Sequence, residues 1–520
     1  MLKSIVYLSV CFLCILIEAR IVVAQDSVSV HEKYFRYRNR LNYFVVFLDE
    51  PGGGLLANIR NRDAWKDTDG IDASGDEIDY HQSISFGQTH TRTGYLLGTL
   101  STEYALLMQA GDIIAADKTL AQIRIVLNAF KRTDLCEGAP PWFLKDTLDG
   151  FFVREDVSPI LSGRLYNQLN FGLDENDYFG NRALRGEFGI PALIDSNSIE
   201  CLRMYEHNNA YFFNKREAKH PDFVSFENKN TDYYKYYKDQ KFISQDEVLG
   251  ALVGLCLTYK FVDDEFIRKD ALNHILLMIN FMCGSKKTLW WRPLFPDGTR
   301  MGNENGADGR AYAYAMKSIA YNYAGQEYLK NYFPDILKAP WCRDAYEGAE
   351  IACLSGIGVA EYRVFRFLMA ESISLSGASR ISKNVPFLLK SFTSIYDWDT
   401  FFLLLHAALN DLKINKKTYD FKKLSIQLSQ VPANGTWQYG DKKYPKNIGW
   451  SAEFKWSATI DMQNGKTNEN WSIGNFSGID FMLLHNLACL LIDEYKTGFN
   501  HYLGTAEKHS TLSAPVIYSH

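Results

Sequence analysis

The chain has 520 residues, 47% hydrophobic and 22% charged, a globular composition with ample apolar material for a large core. Its formal net charge of −5 is small for this length, so there is no field to recruit nucleic acid, and no basic patch stands out. Beyond the first two dozen residues no stretch offers about 18 uninterrupted apolar residues, which argues against a membrane span.

Residues 1–24 carry Lys3, an apolar run from Ile5 to Ile17 and small residues before Gln25, the tripartite pattern of a secretory signal peptide cleaved after Ala24. Cys14 follows Phe12 and Leu13 rather than the small residues of a lipoprotein signal. The expectation is an exported protein, periplasmic or extracellular, without a lipid anchor. A single domain over 25–504 and a tail over 505–520 would follow.

Helical periodicity dominates from there. A first helix is expected over about 32–48. In "GYLLGTLSTEYALLMQAGD" Leu96, Leu97, Leu100, Tyr104, Leu107 and Met108 share one face and Gly111 closes the helix. The next segment repeats the pattern with Leu120, Ile123, Val126, Leu127 and Phe130, making an antiparallel hairpin over 94–132. Further helices read at about 245–262, 265–283, 310–324, 359–376, 397–412 and 478–497, with fainter ones near 195–209, 345–355 and 384–392.

The last of these, "GIDFMLLHNLACLLIDEY", is apolar nearly all round, as are the stretches around Ile275–Met282 and Phe401–Leu405, and such helices must be enclosed by others. Amphipathic helices outside and apolar ones inside is the pattern of an all-α, double-layered (α/α) toroid. Long polar, aromatic-rich segments at 49–93, 133–194, 210–243, 284–309 and 413–477 either carry function or hold small strands of their own. The last contains alternating aromatic and polar residues that fit a short β-hairpin near 430–460.

Of nine cysteines, seven lie beyond the leader; they are far apart and several sit in apolar helical runs. Buried free thiols fit better than a disulfide framework, with Cys342 and Cys353 the one pair left open, and metal-ligand spacing is absent. No metal or cofactor is expected. Asn434, Asn470 and Asn475 open glycosylation sequons, meaningful only if the source glycosylates.

Each candidate chemical residue has a plain structural alternative. Glu103 falls in the middle of an apolar helix face, where a carboxylate must be paired, hydrogen-bonded or aimed at a cavity. Burial disfavours the charged form, which is how a general acid is made. The alternative is a buried ion pair with an arginine such as Arg92 or Arg124.

Asp246 lies in the first turn of a helix that Ser244 and Glu247 open as a capping box. It suits a nucleophile, base or hydroxyl acceptor, or simply compensates the helix dipole. Gly250 and Gly254 let another helix approach closely, which assigns this helix to the inner layer.

In "DGFFVREDVSP" alternation puts Arg154 and Asp156 on one side, facing a cleft together or forming a solvated loop salt bridge. His81 and His90 precede the Glu103 helix and, with Arg154, could hold uronic-acid carboxylates. Loop tryptophans such as Trp142 and Trp398 suit stacking on sugar rings, or pack loops onto the body. "NENGADGRAYAY" lacks the full ligand set of an EF-hand, and "DEPGGGLLAN" lacks the Lys-Ser/Thr of a P-loop.

Two helical layers, aromatic loops, scattered carboxylates and an export signal together resemble the (α/α)-toroid carbohydrate-active enzymes of secreted bacterial systems. These include glycoside hydrolases, unsaturated-glucuronyl hydrolases and the toroid domains of polysaccharide lyases. The resemblance implies a poly- or oligosaccharide substrate, but it rests on architecture alone and carries over no catalytic residue. Hydrolysis needs two carboxyl groups, for which the residues themselves offer Asp156 and Asp246 as the pair and Glu103 as reserve acid. Arg154, His90 and His81 would hold substrate charge, and Trp142 and Trp398 would stack sugars. The alternatives are a polysaccharide lyase acting on a uronic-acid polymer, a non-catalytic glycan-binding protein similar to the SusD-like outer-membrane partners, and a helical scaffold with no small-molecule site.

Overall fold

The computed structural model describes residues 28–49, 53–56, 59–60, 84–85, 89–135, 148–152, 245–283, 307–338, 370–376, 386–387, 389–390, 399–414, 419–431 and 477–504. Helix dominates them. In chain order come α1 (Val30–Arg40), β1 (Ile59–Arg60), β2 (Ile84–Ser85), α2 (Thr89–Ala110) and α3 (Ile113–Leu135). Then follow α4 (Gln245–Phe261), α5 (Glu265–Cys283), α6 (Ala307–Ala324), α7 (Gln326–Tyr332) and α8 (Pro334–Lys338). A helical turn over 370–375 precedes α9 (Asp399–Leu409), α10 (Phe421–Gln430), α11 (Ile479–Leu491) and α12 (Asp493–Gly504).

α1 starts where Ser29 accepts a hydrogen bond from the Glu32 amide at 3.1 Å, satisfying one orphan donor of the first turn. The helix expected over 32–48 stops at Arg40. The chain tightens into a 3₁₀ turn over Leu41–Tyr43, and the β-branched and aromatic run Phe44–Phe47 leaves the helix to enter the core. β1 and β2 pair antiparallel, Ile59 opposite Ser85 and Arg60 opposite Ile84, inside a segment read as either functional or strand-bearing.

α2 begins at Thr89, earlier than the periodicity indicates, because Thr89–Thr93 are buried and join the same packed face. Every residue of α2 from Thr89 to Leu107 is buried, and the hydroxyls this encloses bond back to the helix. Thr99 donates to the Tyr95 carbonyl, Ser101 to Leu97 and Thr102 to Gly98, at 2.8–2.9 Å. Gly111, at φ 77, ends the helix, and the Asp112 amide turns back to the Leu107 carbonyl at 2.9 Å. α3 then returns along α2 with only one face buried.

The pairing of a wholly buried helix with a half-buried successor recurs. α4 is buried from Glu247 to Leu257 and is followed by α5; α11 is buried from Ile479 to Cys489 and is followed by α12. The helix expected over 478–497 is two, divided at Ile492, which is extended at φ −127. α10, capped by the Asp420 carboxylate on the Lys423 amide at 2.9 Å, lies in a stretch read as loop. α7 and α8 also form where the apolar periodicity is too short to register.

The buried helices run parallel. A Cβ on Gly94 would fall 1.9 Å from the Gly250 carbonyl oxygen, one on Gly254 2.0 Å from that of Gly94, and one on Gly98 2.7 Å from Leu257. Ser101 and Thr258 join hydroxyls at 2.8 Å further along, so the α2 and α4 numbers rise together. α11 rises with them: Leu483 lies against Gly98, and Asn486 donates to the Thr99 carbonyl at 3.1 Å. Only glycine permits backbones this close, so α4 is the inner helix its Gly250 and Gly254 imply.

The acidic stretch opens with a plug for this core. Asp134 at the end of α3 accepts from the Asp149 and Gly150 amides at 3.1 and 3.0 Å. Gly150, at φ 90, sits where a Cβ would meet the Leu277 carbonyl at 2.2 Å, and Phe151 and Phe152 are fully buried. Each buried ring contributes roughly 1.5–3 kcal/mol. No described helix is long and apolar enough to cross a membrane.

Candidate functional site

Parallel packing collects the N-terminal ends of α2, α4 and α11 on one side, and buried carboxylates gather there. Glu247 is in the first turn of α4, Asp480 in the first turn of α11, and Glu371 in the 370–375 turn; all three are buried. The Tyr95 hydroxyl of α2 donates to Glu371 Oε1 at 2.7 Å. Burial, then the Glu371 charge and hydrogen bond, then the Asp480 charge hold the Tyr95 hydroxyl well above the usual phenol range. Tyr95 therefore keeps its proton and donates it to the Glu371 carboxylate within reach of the Asp480 charge, and its ring stacks on Phe401 with centroids 5.8 Å apart.

Asp246 belongs to the same end. It stands one turn before Gly250, which packs on Thr91, so the α4 backbone brings its first turn beside the start of α2. His90 is here too, enclosed rather than presented: its Nε2 bonds the Thr133 hydroxyl at 2.9 Å and its ring stacks on Phe152 at 4.2 Å. Asp156, Arg154, His81, Trp142 and Trp398 lie outside the described residues, as do the hairpin expected near 430–460, the leader and the tail.

Glu103 sits about 12 Å further along α2 by helix rise. Its carboxylate accepts from Arg38 Nε at 2.9 and 3.1 Å, from the Thr119 hydroxyl at 2.7 Å and from the Tyr34 hydroxyl. The buried ion pair is thus with Arg38 of α1, not Arg92 or Arg124. Arg124 instead reaches Asp264 at 2.8 Å on the surface. Arg38 also donates to Gln122 and lies over the Phe47 ring, so this cluster fastens α1 to the α2–α3 hairpin.

The network continues into α11. Asn486 donates to the Tyr34 hydroxyl, the Thr99 carbonyl and the Thr102 hydroxyl at 3.1–3.2 Å, while its Oδ1 faces His485 Nδ1 at 3.1 Å. His485 Nε2 is 2.9 Å from His31 Nδ1 and 3.7 Å from Cys489 Sγ. Burial lowers the His31 imidazole to about 4 and holds His485 well below its usual range, so both rings are neutral. Burial also raises the Cys489 thiol well above its usual range and Cys256 to about 12, as free enclosed thiols require.

Glu371, Asp480 and Tyr95 are not singled out by sequence. Asp480 looks like a dipole-compensating first-turn acid, and Tyr95 like one more apolar contact. Glu371 had the clearest signal, a lone acid within "LMAESISLSG". His485 and Cys489 are one helical turn apart on an apolar helix, but His31 is 454 residues away along the chain.

Compared with protein-family models, curated proteins and solved structures, the chain matches none of them.

Proposed function

We propose that this chain is an (α/α) toroid that cleaves glycosidic bonds in an exported glycan-degrading system. The observation that carries the proposal is the Tyr95–Glu371 hydrogen bond, with the buried Asp480 near enough for its charge to act on the same phenol, at the shared N-terminal end of parallel buried helices. Hydrolysis needs one carboxyl to protonate the leaving oxygen and one to activate water or attack the sugar. Glu371, held in place by the Tyr95 phenol, is assigned the acid role. Asp480, where the helix dipole favours its ionised form, takes that of base or nucleophile.

Asp246 enters the same end from α4 and is the third acid of the proposed site. Glu103, committed to Arg38, Tyr34 and Thr119, is assigned to holding the helices together. The two-layer alternation of α2/α3, α4/α5 and α11/α12 with parallel inner members supports the toroid. A lyase reading loses its obvious base, because Tyr95 sits among negative charges that oppose phenolate formation.

The test is turnover of a polysaccharide panel by the full chain, read by new reducing ends and by double-bond absorbance. Reducing ends without absorbance are expected, with Glu371→Gln and Asp480→Asn each losing at least about a hundredfold in rate. Absorbance at the new ends would make the protein a lyase. No turnover, with retained binding to a glycan, would make it a binding protein.

A further inference from the structure

We propose that His31 Nδ1, His485 Nε2 and Cys489 Sγ form a binding site for a zinc ion that joins α1 to α11. The inference is independent of the glycan-cleaving proposal. It rests on the three donor atoms lying within 4.8 Å of one another.

Two edges of this triangle are close in length to what zinc requires. With Zn–N near 2.05 Å and Zn–S near 2.3 Å, tetrahedral bonding spaces nitrogens about 3.3 Å apart and nitrogen from sulfur about 3.6 Å. His31 Nδ1 and His485 Nε2 are 2.9 Å apart, and His485 Nε2 is 3.7 Å from Cys489 Sγ. Accommodating the ion takes a widening of the nitrogen–nitrogen edge by a few tenths of an ångström and a swing of the Cys489 side chain that brings Sγ in front of Nε2. His485 and Cys489 are four residues apart on one helix, so their side chains already share a face.

The surroundings fix which nitrogen of His485 is available. The Asn486 amide nitrogen donates to the Thr99 carbonyl, which can only accept, so Asn486 Oδ1 is the atom facing His485 Nδ1. His485 Nδ1 must then carry the proton, and Nε2 presents its lone pair to His31, with Cys489 Sγ beside the ring at 3.7 Å from Nε2 and 4.0 Å from Nδ1. An outer hydrogen bond that sets the tautomer of a metal-binding histidine is a recurring feature of such sites. Tyr34 stacks on the His485 ring at 4.5 Å and 16°, which holds its plane.

The other side is shaped for His31. A Cβ on Gly498 of α12 would fall 2.5 Å from His31 Nε2, so the glycine leaves the room the imidazole occupies. Without metal, a proton on His31 Nδ1 satisfies the His485 lone pair. With metal, His31 carries its proton on Nε2 and Cys489 binds as the thiolate, its proton released to solvent. Two nitrogens and one sulfur suit zinc, and leave a fourth position for water or a small ligand.

The experiment uses the full chain, stripped with chelator and equilibrated with zinc chloride, then desalted and analysed for metal. One zinc per chain is expected, with a thermal midpoint that rises with free zinc. Cobalt(II) in its place should give a near-ultraviolet thiolate charge-transfer band and intense visible bands of tetrahedral geometry. Cys489→Ser removes the near-ultraviolet band, Cys256→Ser keeps it, and Asn486→Leu weakens binding by about 10- to 100-fold.

If Cys489→Ser fails to fold, His31→Gln takes its place, with visible-band intensity and zinc stoichiometry as the readouts. Substoichiometric zinc with no cobalt bands in the folded wild-type chain overturns the site. So does a charge-transfer band that survives Cys489→Ser, which would locate the metal on another cysteine. Binding of copper(I) but not zinc overturns the choice of ion.

Discussion

Replacing Glu103 by glutamine separates the structural role assigned to this residue from a catalytic one. The carboxylate accepts from Arg38, Thr119 and Tyr34 and is only 2% exposed, while the Arg38 side chain is 10% exposed. A glutamine keeps one oxygen acceptor, turns an amide nitrogen toward a donor, and leaves the guanidinium without its counter-charge. Removing one partner of a buried pair costs about 3–5 kcal/mol. Arg38 keeps Gln122 and the Phe47 ring, so the lower end, about 3 kcal/mol, is expected.

The assay is urea denaturation of the full chain followed by far-ultraviolet circular dichroism, with Arg38→Met and the double variant Arg38→Met/Glu103→Leu measured alongside. The double variant should recover at least half of the loss, because no lone charge is left inside. A Glu103→Gln midpoint within about 1 kcal/mol of wild type would refute the ion-pair argument. It would return Glu103 to the list of candidate acids.

Gly254→Ala places a Cβ 2.0 Å from the Gly94 carbonyl oxygen where ordinary contact begins at 3.4 Å, so α2 and α4 must part by roughly 1.4 Å. A loss of about 2–4 kcal/mol in the same denaturation assay is expected, whereas Gly504→Ala, with nothing within 4 Å, should stay within about 0.5 kcal/mol. Phe152→Ala empties a fully buried site and should cost about 3–5 kcal/mol, and it frees the His90 ring that stacks on it.

Stability should also depend on pH in the mildly acidic range. Burial holds His274 and His406 at about 4 against an ordinary 6.5, so the unfolded chain takes up protons in that window that the folded chain refuses. Their contribution is complete above 6.5 and is lost as pH falls toward 4, at up to about 2.7 kcal/mol per pH unit for the two. Asp134, raised by burial to about 7, acts in the opposite sense and removes about half of that slope. Denaturant midpoints should climb as pH rises from 4.5 to 6; a flat or falling profile would show that these imidazoles are not enclosed.

The sequence by itself marked α11 as inside, because a helix without a polar face has to be surrounded. The same reading of Ile275–Met282 did not hold for α5, which is half-buried, while α2, read as having one apolar face, is buried all round. The close approach at Gly250 and Gly254 was legible for the same local reason: only residues without a Cβ allow backbones to touch. So was the enclosure of Glu103, since its place on the apolar face required a partner, though not which one.

Partners come from tertiary structure, because they lie far apart in the chain and no local pattern encodes them. Arg38 reaches Glu103 across 65 positions, Tyr95 reaches Glu371 across 276, and His31 reaches His485 across 454. The breaks at Arg40 and Ile492 were hidden for a related reason. Apolar periodicity continues through both, and the chain turns there because the core it must fill lies to the side.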